Sequence, residues 1–121
     1  MKKLIAPLVL FAVILSGCSA PEKDATYESV NSLAVAYEKA VDGVECGRTD
    51  RNIHDAGWDY VNCDKTGFAE LFTSSERRTE VIAKNPLKPG MKHLLGTNWM
   101  IVAEQSKIEA AQEVLGGDIG H

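Results

Sequence analysis

The stretch WDYVNCDKTGFAELF, residues 58–72, decides the fold. Trp58, Tyr60 and Asn62 alternate with Asp59, Val61 and Cys63, and a period of two is what a strand imposes by sending successive side chains to opposite faces. Asp64-Lys65-Thr66-Gly67 supplies a turn, and Phe68 to Phe72 follows as the partner strand. The reading is a β-hairpin in the middle of the chain.

Helical spacing flanks it. Upstream, Val30, Leu33, Ala34, Tyr37, Ala40, Val41 and Val44 share one face, while Glu28, Glu38, Lys39 and Asp42 lie off it. With Ser29 as N-cap and Gly43 as stop, this is a core-packing helix of about 13 residues. Residues 45–57 read as a polar loop. Downstream, Thr73-Ser74-Ser75-Glu76 has capping-box spacing, and Asn85-Pro86 ends the helix it starts, whose apolar contacts are Val81 and Ile82. His93-Leu94-Leu95 and Trp99 to Ala103 read as one interrupted strand or a short pair around Gly96-Thr97-Asn98. Ser106-Lys107-Ile108-Glu109 is a second capping box, and Gly116-Gly117 stops the last helix. The expectation is an α+β domain in the order α-β-β-α-β(-β)-α, with a small, mostly antiparallel sheet of three to four strands covered by three helices.

The chain has 121 residues, 45% of them apolar and 25% charged, with 13 Lys and Arg against 17 Asp and Glu for a net charge of −4. That composition fits one globular domain and excludes a disordered polyelectrolyte, a collagen-like chain, a multi-span membrane protein and a basic nucleic-acid binder. No nucleic-acid partner is expected.

The first residues form an address. Lys2 and Lys3 precede an uncharged run from Leu4 to Leu15, too short for a span of about 20 apolar residues, and small residues follow. Leu15-Ser16-Gly17-Cys18 closely resembles the lipobox of bacterial lipoproteins. The resemblance implies diacylglyceryl transfer to the Cys18 sulfur, cleavage between Gly17 and Cys18, and a membrane held through acyl chains on Cys18, on the extracytoplasmic face and in the outer membrane of a two-membrane host. Residues 1–17 are then the signal peptide, 18–28 the lipidated Cys with a flexible tether, and 29–121 the domain. Without Lys2 and Lys3, 11 basic residues face 17 acidic ones, and a net charge of −6 is repelled by anionic headgroups.

Cys46 and Cys63 remain as an even pair in an oxidising compartment, where a disulfide is the default. Together with the lipobox, the Trp-bearing strand ending in Cys63, and the closing residues Leu94, Leu95, Gly96, Asn98, Trp99, Ile101, Gly116 and Gly117, this pattern looks like small lipoproteins of actinobacteria and their phages. That group carries no assigned activity, so the resemblance implies fold and location and supplies no catalytic residue.

Chemistry candidates are few. His54 with Asp50, Asp55 and Asp59 is the one cluster of metal-ligand residue types, but they fall where turn formers are ordinary, so no metal site and no cofactor is expected. No G-x-S-x-G is present, Ser74, Ser75 and Ser106 read as helix starts, and no catalytic residue is expected. Arg77, Arg78, Lys84, Lys88 and Lys92 form a basic segment that, with Trp58, is the candidate docking surface. The functional expectation is a non-enzymatic, lipid-anchored module acting on a membrane-proximal partner, an envelope or incoming phage protein; the alternative is a small-ligand or metal-binding lipoprotein.

Overall fold

The computed structural model describes residues 21–51 and 57–120. Three helices, α1 (Val30–Ala40), α2 (Ser75–Lys84) and α3 (Gln105–Leu115), and five strands, β1 (Trp58–Cys63), β2 (Gly67–Phe72), β3 (Met91–Leu95), β4 (Trp99–Glu104) and β5 (Asp118–Gly120), make up the described elements. The strands form one sheet in the order β1-β2-β4-β3-β5, and every neighbouring pair is antiparallel. The expected α+β class and element order hold. The sheet has five strands where three to four were expected, because His93–Leu95 and Trp99–Ala103 lie in two separate strands and Asp118–Gly120 pairs with the free edge of β3 as a fifth.

The period of two divides the sheet into unlike faces. Val61, Cys63, Ala69, Leu71, Leu94, Trp99, Ile101 and Ala103 point to one side, where α1 and α3 close over them with Leu33, Tyr37, Ile108 and Leu115 to form the main core. Phe72, Met91, Met100 and Val102 point to the other, where α2 contributes Val81 and Ile82 to a smaller apolar cluster. A helix with so narrow an apolar stripe covers only part of a sheet.

The helix caps lie within a few residues of the expected positions. Ser29 is the N-cap of α1, its box completed by Ser32, but the helix ends at Ala40 and Gly43 sits beyond it in the turn. The second cap is Ser74 and not Thr73, because the Thr73 N–H and hydroxyl both donate to the Gly57 carbonyl and hold that residue to the strand layer. In α3 the Ser106 box is not formed: β4 runs straight into the helix, so Glu104 occupies the cap with no side-chain bond. Gly116, at φ +78°, ends the helix as expected.

Cys46 and Cys63 are disulfide-bonded and also form a β-bridge, so residues 45–47 lie along the outer edge of β1, with Gly47 N–H donating to Asn62 O and Asp64 N–H to Glu45 O. At the other end of the domain, Asp24 to Tyr27 is strapped down. The Asp24 N–H donates to Leu115 O at 2.8 Å, Trp99 Nε1 and Thr97 Oγ1 both donate to Ala25 O, and Asn98 exchanges two hydrogen bonds with the Tyr27 backbone. These bonds hold Asp24 to Tyr27 against the β3–β4 turn and the end of α3.

Candidate functional site

A cleft of about 500 Å³ opens on the second face of the sheet. Its floor is the outward set of alternating strand residues, Trp58, Tyr60, Asn62, Phe68, Glu70, Met100, Val102 and His93. Its wall and rim come from α2 and the loop after it, where Asn85-Pro86 ends the helix, Val81, Ile82 and Leu87 pack toward the sheet, and the exposed Lys84 and Lys88 line the rim. The volume lies within the range of about 300–1,000 Å³ that holds small ligands.

The strand register orders the floor. Phe68, Val102 and His93 form one cross-strand row, and Tyr60, Glu70, Met100 and Leu95 form the next. Along β1 the rings of Trp58 and Tyr60 stack at 5.3 Å, Phe68 meets Tyr60 edge-on at 6.0 Å, and the Arg51 guanidinium lies 4.9 Å over Tyr60. The aromatic ladder fixes one side of the cleft as a rigid apolar wall.

Two ionisable groups are buried in this floor. Glu70 is 7% exposed, and Trp58 Nε1 donates to its Oε1 at 3.0 Å. Burial pushes its carboxyl up to about 7, with the Trp58 bond acting in the opposite direction. His93 is 5% exposed, and burial lowers its pKa, so its imidazole is neutral at pH 7. Among the described residues neither ring nitrogen of His93 and no group besides Trp58 at Glu70 makes a hydrogen bond. Buried polar atoms without protein partners in a cleft are the groups that a bound molecule would satisfy.

The docking residues separate. Trp58, Lys84 and Lys88 meet at the cleft. Arg78 is turned inward, donating to the carbonyls of Gly96 and Trp99 and tying α2 to the β3–β4 turn, and Arg77 pairs with Glu80 at 3.2 Å. Lys92 lies on β3 opposite Ala103, out of step with His93 and the cleft face. Of the metal candidates, Asp59 is buried beside Arg51, whose Nε donates to it at 2.7 Å, and Asp50 is exposed. His54 and Asp55 lie outside the described residues, as do Gly17 and Cys18. Among the described residues no three His, Cys, Asp or Glu side chains converge on a metal position.

Glu70 and His93 are the functional candidates that the sequence reading missed. The signal for Glu70 was present: it is the one charged residue between Phe68 and Phe72, in a strand otherwise apolar. His93 had a weaker one, heading the apolar pair Leu94-Leu95.

No family model, curated protein or solved structure matches the chain. Among the described residues no helix is long and apolar enough to cross a membrane.

Proposed function

We propose that this is a lipid-anchored, extracytoplasmic, non-enzymatic binding domain of the bacterial cell envelope, and that the cleft on the second sheet face takes a small ligand with a largely apolar body. The lipobox at Leu15 to Cys18 supports the location. On that reading five residues, Ser19 to Lys23, separate Cys18 from the first strapped residue, a reach of at most about 18 Å. The domain therefore works close to the bilayer. The observation that carries the binding function is the pairing of an apolar cleft of about 500 Å³ with buried, under-satisfied Glu70 and His93. A polar ligand head supplies the partner that Glu70 lacks, and its body covers Met100 and Val102.

Protein docking is the second reading, favoured by the meeting of Trp58, Lys84 and Lys88 on one rim. Thermal denaturation of the full chain in detergent, with a panel of soluble amines, acids, alcohols, sugars and divalent metals, separates the two. A ligand at a hundred times its Kd stabilises by about 2.7 kcal/mol and raises the midpoint visibly. A flat panel, with cross-links from Lys84 and Lys88 to one envelope protein in native cells, transfers the function to docking.

A further inference from the structure

The cleft presents hydrogen-bond acceptors where a ligand head would sit. An ionised carboxylate only accepts, and a neutral imidazole keeps one accepting nitrogen. One oxygen of Glu70 is taken by Trp58 Nε1, leaving the other open, while the His93 ring has no partner among the described residues. These groups lie in adjacent rows on β2 and β3, two strand spacings apart, or about 10 Å across the sheet, with Met100 and Val102 of β4 between them.

Resting on the binding reading above, we infer that the ligand is a primary amine with an apolar body: its ammonium meets the free oxygen of Glu70, and its body crosses β4 toward His93. The charge complement argues for the amine over an acid: an ammonium stabilises the ionised carboxylate that burial disfavours, whereas an anionic head could be met only by the protonated form and would be repelled by the ionised one. The ring geometry argues for a primary over a quaternary ammonium. Trp58 stacks on Tyr60 and Arg51 covers Tyr60, so these rings are already engaged and do not form an open cage for a methylated cation. A primary ammonium needs instead a hydrogen-bond acceptor, which Glu70 provides. Lys84 and Lys88 at the rim disfavour a second positive charge near the mouth and select for monovalent amines.

The two tryptophans give the test an internal control. The indole N–H of Trp58 binds Glu70 in the cleft, and that of Trp99 binds Ala25 O on the opposite side of the sheet. The full chain in detergent is titrated with 2-phenylethylammonium, with the neutral 2-phenylethanol and with the anionic 3-phenylpropionate, following both indole N–H resonances. The amine is expected to move the Trp58 signal saturably and leave Trp99 fixed, with an apparent Kd at least tenfold tighter than either analogue. Glu70→Gln, which keeps an acceptor for Trp58, is expected to remove that preference, and an unmoved Trp99 signal in the variant reports an intact fold. Should Glu70→Gln fail to fold, the three-probe comparison on the natural chain decides alone. Equal or tighter binding of the alcohol or the acid overturns the amine assignment while keeping the cleft as the site. No response of Trp58 to any probe overturns the cleft as well.

Discussion

Trp58 donates its indole N–H to Glu70 at 3.0 Å, across the first two strands of the sheet and inside the cleft. The bond joins an aromatic residue visible in the sequence as a surface candidate to a carboxylate that was not, and it holds the acid in place without satisfying it. Its consequences for stability, folding and binding are separable.

Stability should depend on pH through Glu70. Its pKa rises on folding from 4.5 to about 7, so between those values the folded chain keeps a proton that the unfolded chain has released. Stability is then highest below pH 4.5 as far as this group is concerned and falls as pH rises through 7, by up to about 3 kcal/mol. His93 acts with the opposite sign. Its folded pKa lies below 6.5, so stability is full above 6.5 and is lost as pH falls toward that folded value. Lys84, Lys88 and Tyr60 share the cleft with these two groups. Urea denaturation from pH 5 to 8 should show Glu70→Gln losing the alkaline decline and exceeding the natural chain above pH 7.

The Cys46–Cys63 bond closes a loop with a sequence separation of 17 and ties residues 45–47 to the edge of β1. Closing a loop of that length is worth about 3 kcal/mol on the chain-entropy model. The paired substitution Cys46→Ala with Cys63→Ala should lower the unfolding free energy by that amount in urea, and treatment of the natural chain with reductant should do the same.

Gly96 is required by Trp99. A β-carbon at residue 96 would lie within the indole ring, in a turn whose Gly96 N–H donates to Trp99 O at 2.8 Å. Gly96→Ala should cost at least about 1–3 kcal/mol through overpacking, read as a lower thermal midpoint.

The strap should loosen in steps. Asn98→Ala removes both bonds to the Tyr27 backbone, and Trp99→Phe removes the indole bond to Ala25 O. A net hydrogen bond is worth about 0.5–1.5 kcal/mol, so Trp99→Phe, which loses one, should speed hydrogen exchange of the Asp24 and Tyr27 amides by roughly two- to tenfold, and Asn98→Ala, which loses two, by more.

Local chemistry made much of the fold legible. The alternation in 58–63, the Ser29 cap, the Asn85-Pro86 stop and the Gly116 stop each act within a few residues, and each appears where it was read. Asp118–Gly120 was not legible, because three residues after a Gly-Gly carry no period and become a strand only by pairing with β3. The cleft was half legible. The narrow apolar stripe of α2, Val81 and Ile82, announces incomplete cover, but which strand residues lie beneath depends on the order β1-β2-β4-β3, and that order is set by long-range pairing. Arg78 shows the same limit: in sequence it belongs to a basic run, and in the fold its guanidinium is engaged by the Gly96 and Trp99 carbonyls.

The most direct measurement of the central claim is a general fragment screen on the isotope-labelled full chain, mapping amide and indole shifts over the whole domain. Small apolar fragments should gather on the cleft face, perturbing Trp58, Phe68, Glu70, His93 and Val102 while α1 and α3 stay fixed. Fragments collecting on the α1–α3 side, or finding no common site, would contradict that claim.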